Sequence, residues 1–437
     1  MKRLNTWKRF GIFALVGLLL SFVVSCATVS SDNNASDNRQ EVEFWTMQLQ
    51  PQFTDYFNQL IANFEAANPE LKIRWVDVPW SAMESRILAS VSAKTAPDVV
   101  NLNPDFAALL AGRNAWLNLN EQVPEEVRSQ YLPNILKANS IERCKENNCR
   151  LENYGVPWYL TTQITIYNQE LFQKAGLKTA PTTYTELAEF AQTIKEKTGK
   201  YALFVSFVPE DSSQVLQSLV QMGVQLVDEQ RKAAFNSPEG KAAFQYWVDL
   251  YQNNLLPQEV LTQGHRRAIE LYQAGEIAIL ISGPQFFKAI AENAPTIAKV
   301  STPAPQITGE TGKKSVAVMN LVIPRETPNP ENALKFALFV TNSTNQLAFA
   351  KVANVLPSTV EALKDSHFRP VQGRNTQEDQ ARIISAKQMD ETDTLLPPLK
   401  DIKRLQKIIY DNLQAAMLNE KTVEQALLDA ENAWNQR

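Results

Sequence analysis

The chain has 437 residues, 44% hydrophobic and 21% charged, with a net charge of −4 and no basic block. That length is too great for one compact core and sufficient for two lobes. The weak acidic balance argues against nucleic acid as a partner.

Lys2, Arg3, Lys8 and Arg9 precede an apolar run, Gly11 to Val24, that is short for a membrane-spanning helix of ~20 residues. The run ends in Val23-Val24-Ser25-Cys26, which resembles a bacterial lipobox. Residues 1–25 are read as a signal peptide and Cys26 as the lipidated first residue, with an uncleaved anchor as the alternative. Loss of those four basic residues takes the charge from −4 to −8. Residues 26–41 carry almost no large apolar side chain and read as a flexible tether. Cys144 and Cys149 remain, spaced C-x4-C in a polar loop. An exported chain meets oxidising conditions, so a small disulfide loop is the favoured reading over two free thiols. A metal pair is disfavoured, because no nearby His or Cys completes a site.

From Glu41 the chain alternates strands and helices. Val42 and Phe44 mark a strand. Phe53, Tyr56, Phe57, Leu60, Ile61 and Phe64 form a helical stripe ended by Asn68-Pro69. Leu71, Ile73 and Trp75 alternate as a strand, and Ser81-x-x-Glu84 has the pattern of a capping box. Asp98 to Leu102 is a buried strand, with a helix opening near Asn103-Pro104. Gly155 to Leu177 holds a polar, aromatic segment (Trp158, Tyr159, Thr161, Thr162, Gln163), then a strand through Ile164, Ile166 and Tyr167, then a short helix closed by Gly176. This stretch reads as a crossing between lobes over the floor of a cleft. Thr183-x-x-Glu186 caps a further helix, Tyr201 to Phe207 is a strand, and Ser237-Pro238 starts a helix. Ile277 to Ile281 and Val316 to Ile323 are strands, and the last 90 or so residues are mostly helical. Strand–helix alternation predicts βαβ units, hence an α/β fold whose sheets are mainly parallel and flanked by helices.

In open α/β sheets ligands sit beyond the carboxyl ends of strands. Here those positions hold Trp45, Asn103, Asp105, Val208 to Asp211, Ser282 to Gln285 and Asn320. Trp80 and Trp158 are further aromatic candidates for covering a ring face. Two His, His265 and His367, occur in unrelated contexts, and no nucleotide-binding, zinc-protease or serine-hydrolase motif is present. A glycosidase carboxylate pair stays open as the alternative, but the balance favours a binder without cofactor or metal over an enzyme.

Several segments together carry a family pattern. They are Val42 to Trp45, Phe64 to Pro69, Ala96 to Val100, Gly155-Val-Pro157 with Tyr167-Asn168 and Leu171-Phe172, Ala175 to Leu177 with Pro181, Phe235 to Gly240, Gly275 to Ala278 with Gly283-Pro284, Pro303 to Pro305, and Thr422 to Ala430. The chain resembles the carbohydrate-type extracellular solute-binding proteins of ABC importers, the family of the maltose-binding protein, over nearly all of residues 42–437. The resemblance implies a two-lobe periplasmic-binding-protein fold closing at a hinge on a ligand. Lobe one would comprise 42–160 and 304–354, and lobe two 161–303 and 355–437, with the third crossing near Val355 to Pro357. It implies ligand contacts at Asp105, Tyr159 and Thr161. Gln285 and Phe286 follow Gly283-Pro284, where many members place a tryptophan platform. That departure, and the lack of an aromatic in Leu396 to Lys400, points to a mono- or disaccharide or related polyol. A non-sugar small solute is the further alternative. The implied protein is a monomeric binding subunit, lipid-anchored at a bacterial membrane facing the periplasm or cell exterior, that delivers its ligand to ABC permease subunits.

Overall fold

The computed structural model describes residues 39–145, 148–209, 211–373, 375–396, 399 and 401–436; at 104, 105, 142, 144, 145, 148 and 149 the description stops at the backbone. The chain divides into residues 1–40 and a unit Glu41–Arg437. The expected signal peptide (1–25), Cys26 and most of the tether (26–41) lie outside the described residues. No described helix is long and apolar enough to cross a membrane.

From Gln40 onward, β1 (Gln40–Met47), β2 (Leu71–Val78) and β3 (Val99–Leu102) alternate with helices Thr54–Ala67, Trp80–Ser92 and Pro104–Gly112. The first helix buries Phe57, Leu60 and Phe64, the stripe that its sequence spacing requires. Along β1, Val42 and Phe44 enter one core while Trp45 and Met47 enter another. A strand alternates its side chains, so this sheet is covered on both faces. The helix Trp80–Ser92 is preceded by Pro79 with no side-chain cap. Ser81 therefore lies inside the helix and does not open a capping box. Thr183 and Glu186 do form one, at the start of helix Tyr184–Thr198.

A hairpin of β4 (Ser140–Lys145) and β5 (Asn148–Asn153) precedes β6 (Val156–Thr162), which runs almost directly into β7 (Ile164–Asn168). Later strands are β8 (Ile279–Ser282), β9 (Ser301–Ala304), β10 (Lys314–Val322), β11 (Leu356–Pro357) and β12 (Thr392–Asp393). The first-lobe sheet has the order β11-β6-β10-β3-β1-β2, with β12 beside β10, and the second-lobe sheet has the order β8-β7-β9. β1 pairs parallel with β3. β10, however, is antiparallel to both β3 and β6, β11 to β6, and β7 to β8 and β9. The first-lobe sheet is therefore mixed, and the three strands of the second-lobe sheet are antiparallel, where strand–helix alternation predicts mainly parallel sheets. The cause is the return path: a chain that leaves the first lobe along β6 and re-enters it along β10 lays the two crossings side by side in opposite senses. The segment expected as a strand at Tyr201 to Phe207 keeps a single parallel bridge, Tyr201 to Ile277.

The second-lobe core runs from Ile164 to Ile307 and resumes from Ala381 to Trp434, closed by helices Ile402–Met417 and Val423–Asn435. Val355, Leu356 and Phe368 belong instead to the first-lobe core. Residues 355–368 thus stay in lobe one, because β11 finds the free edge of β6. At the other boundary, Ala304 pairs with Thr165 of β7, and Ile307 is a second-lobe core residue. The third connection is helix Gln377–Lys387 and the turn after it, with Ala381 in the second core and Met389 in the first.

A largely buried polar network ties the three connections together. The Gln306 backbone N–H donates to Gln388 Oε1 at 2.8 Å. Gln306 Nε2 donates to Gln163 Oε1 at 3.1 Å and to Ser315 Oγ at 3.0 Å, and its Oε1 accepts from the Ser315 N–H at 2.9 Å. Gln388 Nε2 donates to Thr162 Oγ1 and to the Gln163 carbonyl, while Thr162 and Ser385 share a hydroxyl contact. Buried amides are tolerated where their donors and acceptors are paired, and such a network fixes one arrangement of the strands that carry it.

Candidate functional site: the cleft between the lobes

Two adjoining cavities lie between the lobes. The outer one, about 490 Å³, is walled on the first-lobe side by Trp80, Asn103, Asn139, Tyr154 and Met319, and on the second-lobe side by Asp211, Ser213, Leu395, Leu399 and Lys403. The inner one, about 200 Å³, lies against the hinge between Gln163, Ser282, Gln285 and Phe286. Thr161, Ser212, Gln217, His265 and Ser315 border both. Strand ends and helix starts position these groups. Thr161 faces the cleft from β6 because the strand's other face carries Trp158 and Leu160 into the core. Asn103 caps helix Pro104–Gly112 through Oδ1, accepting from the Phe106 N–H at 2.9 Å; its amide N–H groups are not needed for that cap. Ser212, Ser213 and Gln217 come from the start of helix Gln214–Gln221.

Asp211 is held by a local fit. Its Oδ2 accepts the His265 backbone N–H at 2.8 Å, and a Cβ at position 264 would lie 2.2 Å from its Oδ1, so a side chain there would push the carboxylate out of this position. His265 is half-buried at the junction of the cavities, with Nε2 3.3 Å from Ser282 Oγ and its ring edge-on to Phe286. Burial lowers the His265 pKa, and the Asp211 charge opposes that shift more weakly. Above the unfolded value of about 6.5 both states are neutral and the residue adds no pH dependence. As pH falls below that value the unfolded chain takes up the proton first, so stability declines with acidification. In urea unfolding at pH 7.5, 6 and 5, the wild type should lose more stability than His265→Gln; parallel losses would disprove this assignment.

Of the residues expected in the site, Trp80, Asn103, Thr161 and Asp211 line the outer cavity, and Thr161, Gln285 and Phe286 line the inner one. Asp105 is the second residue of helix Pro104–Gly112, and its side chain lies outside the described residues. Four others sit elsewhere. Trp45 is buried in a first-lobe core, with Nε1 donating to Glu43 and the Arg86 guanidinium 4.1 Å from its ring centre. Trp158 is fully buried and stacked on Phe349 at 5.0 Å. Tyr159 packs against Trp158 and Phe349, and burial, aided by the Asp77 charge, raises its phenol pKa. Asn320 is fully buried at the β10 bulge and donates to the Val318 carbonyl. These residues lie on the interior strands β1, β6 and β10, at positions where the side chain packs against its neighbours and not into the cleft.

The contributions of His265, Gln217, Ser315, Asn139 and Tyr154 were not visible in the sequence pattern. Asn139 and Tyr154 come from the two roots of the β4–β5 hairpin, joined by the Tyr154 N–H to the Asn139 carbonyl at 3.1 Å. Among the described residues no group of three or more His, Cys, Asp or Glu could hold a metal ion. Asp211 is the one carboxylate among the described lining residues.

The two-lobe architecture and its cleft are matched by known proteins. A family profile described as "Bacterial extracellular solute-binding protein" matches residues 50–347. The chain belongs to that family. A crystal structure of a candidate oligosaccharide periplasmic-binding protein from Synechococcus, in complex with zinc, is 44% identical to this solute-binding protein, covers 90% of it and 98% of its own chain, and superposes with a TM-score of 0.83. Maltose-bound MalE3 of T. maritima shares the fold at 20% identity, 90% and 98% coverage and a TM-score of 0.72. The mannitol-binding protein of Pseudomonas aeruginosa is 22% identical over 68% of this chain and 69% of its own. The solute-binding protein described here is thus a two-lobe member whose cleft wall is assembled from both lobes and from the hinge.

Proposed function

We propose that this protein captures a neutral sugar or related polyol between its lobes and delivers it to an ABC permease. The observation that carries the reading is the lining of the cleft. Hydroxyls and carboxamides (Thr161, Ser212, Gln217, Ser315) give and accept hydrogen bonds with sugar hydroxyls. Trp80, 46% exposed at the rim, offers a ring face to the C–H side of a pyranose. Relatives named for mannitol and for arabino-oligosaccharides support the same ligand chemistry. The two joined cavities favour a disaccharide over a single ring. A glycosidase would need two carboxylates across the scissile bond; Asp211 alone lines the cleft among the described residues, and one of its oxygens is engaged by His265.

In the same reading, Cys26 carries the lipid and residues 26–41 tether a monomer at the membrane, facing the periplasm or exterior, so that a closed lobe pair docks on the permease. Cys144 and Cys149 are directly opposed in the β4–β5 register, which favours a disulfide across the hairpin; their side chains lie outside the described residues. Titration calorimetry and thermal shift against mono-, di- and trisaccharides and polyols test the ligand class. The expected result is stabilisation by at least one neutral sugar, with a Kd in the micromolar range or below. A response to amino acids, polyamines or metal ions alone would replace the sugar reading with another solute.

A further inference from the structure

We infer that the inner cavity is a single-ring subsite that accepts neutral sugars and rejects anionic ones, so that uronic acids and their oligomers are excluded from this protein. The inference rests on the sugar-binding reading above and deepens it.

The inner cavity holds about 200 Å³, the space of roughly seven bulk waters at about 30 Å³ each, which is the scale of one pyranose. Its described lining carries no Lys, Arg, Asp or Glu. The charged residues of the cleft, Asp211 and Lys403, line the outer cavity only. The inner wall is made of Gln163, Gln217, Ser282, Gln285 and Phe286, with His265 at its mouth. Two of its acceptors have no donor: Gln217 Oε1 and Gln285 Oε1 are buried without a hydrogen-bond partner. Gln217 Nε2 donates to Ser213 Oγ at 3.3 Å, which leaves the oxygen of that carboxamide as its unpaired atom. The Gln285 carboxamide is folded over Gly283, where a Cβ would lie 2.2 Å from its oxygen. Gly283 thus makes room for the amide, and any side chain there would displace it.

Unpartnered acceptors call for O–H donors, which every hydroxyl of a neutral sugar supplies. A carboxylate has only acceptors. In this cavity it would meet neutral hydroxyls and carboxamides, no cation among the described lining residues, and the field of Asp211, whose carboxylate accepts the His265 N–H at the cavity's mouth. Burying an anion without a cationic partner costs far more than burying a hydroxyl. Selection by the absence of a compensating charge is the same device by which sites reject a ligand whose buried polar groups would go unpaired.

The test measures binding of the full-length protein by calorimetry to glucose, galactose, mannose and a set of neutral disaccharides, each beside its uronic acid counterpart at pH 7.5. For every neutral sugar that binds, the uronate should bind about 100-fold more weakly or not at all. Gln285→Lys supplies the missing cation, and the discrimination against the uronate should shrink to less than about tenfold. Circular dichroism confirms that the variant is folded, and Ser282→Lys provides a second placement of the charge at the same wall. Uronates binding as tightly as their neutral partners would overturn the inference while leaving the sugar reading in place. Uronate binding without neutral-sugar binding would overturn both the inference and the neutral-sugar reading, and leave an acidic-sugar binder. Binding of neither class would remove the sugar reading and this subsite with it.

Discussion

Trp158→Ala should cost about 3–5 kcal/mol of stability, the range for emptying a large aromatic site in a packed core. Trp158 is fully buried at the centre of the first-lobe aromatic cluster. Its ring stacks on Phe349 at 5.0 Å, meets Phe57 edge-on at 5.8 Å and reaches Phe44 at 6.4 Å. Helices Thr54–Ala67 and Ser343–Ala353 both rest on it through Phe57 and Phe349. Its removal therefore unseats two helices as well as leaving a void. The indole Nε1 has no hydrogen-bond partner, and an orphaned buried N–H carries a penalty of about 1–3 kcal/mol. Trp158→Phe leaves a smaller void and removes that penalty, so its net cost should be within about 1 kcal/mol. Urea unfolding decides: the midpoint should fall sharply for Ala and little for Phe, with the slope unchanged. If Trp158→Ala instead left the midpoint in place and abolished sugar binding, the residue would belong to the cleft.

Gln306→Leu should both destabilise the protein and weaken its ligand binding. The substitution removes three side-chain hydrogen bonds at the second crossing and strands the Ser315 N–H and Gln163 Oε1. Each stranded group costs about 1–3 kcal/mol. The same atoms couple the crossings, and Gln163 and Ser315 also border the inner cavity. A hinge that loses this network biases the lobes less firmly toward one arrangement, and a ligand gains only from its differential affinity between arrangements. A shift of about 1–2 kcal/mol in that bias changes the apparent Kd by roughly 5–30-fold. Gln388→Leu acts on the same network, so the double variant should cost less than the two single changes added together. Unfolding curves and calorimetry with a sugar identified by the panel measure both effects; additive losses in stability would mean that the two glutamines act separately.

The sequence made the elements legible and their assembly much less so. Helix Thr54–Ala67, the Thr183–Glu186 capping box and the β6–β7 crossing follow from local spacing, where the physical cause lies within a dozen residues. The sense of β10 does not: it depends on where the returning chain re-enters the sheet, a relation between residues 156–162 and 314–322. The third connection lies later in the chain than the family resemblance implies, and β11, two residues long, carries no strand signal that would place residues 355–357 in the first-lobe sheet. Trp158 and Tyr159 show the limit within a single strand. Both rings pack on Phe349 in the first-lobe core, and composition does not reveal that this strand meets the cleft through Thr161. His265 has no local signature, because its neighbours in the site, Asp211, Ser282 and Phe286, come from separate parts of the chain.

The position of β10 also governs how this protein can be made. It lies between β6 and β3, yet in the chain it follows the whole run of second-lobe core from Ile164 to Ile307. During synthesis β3 and β6 are complete long before their shared neighbour exists, and each presents an unpaired edge until residues 314–322 emerge. The second lobe waits as well, since its core needs helices Ile402–Met417 and Val423–Asn435 at the end of the chain. The first lobe lacks core residues until Met389 is made and the second until its final helix is, so both lobes close on contacts distant in sequence, the kind that slow folding.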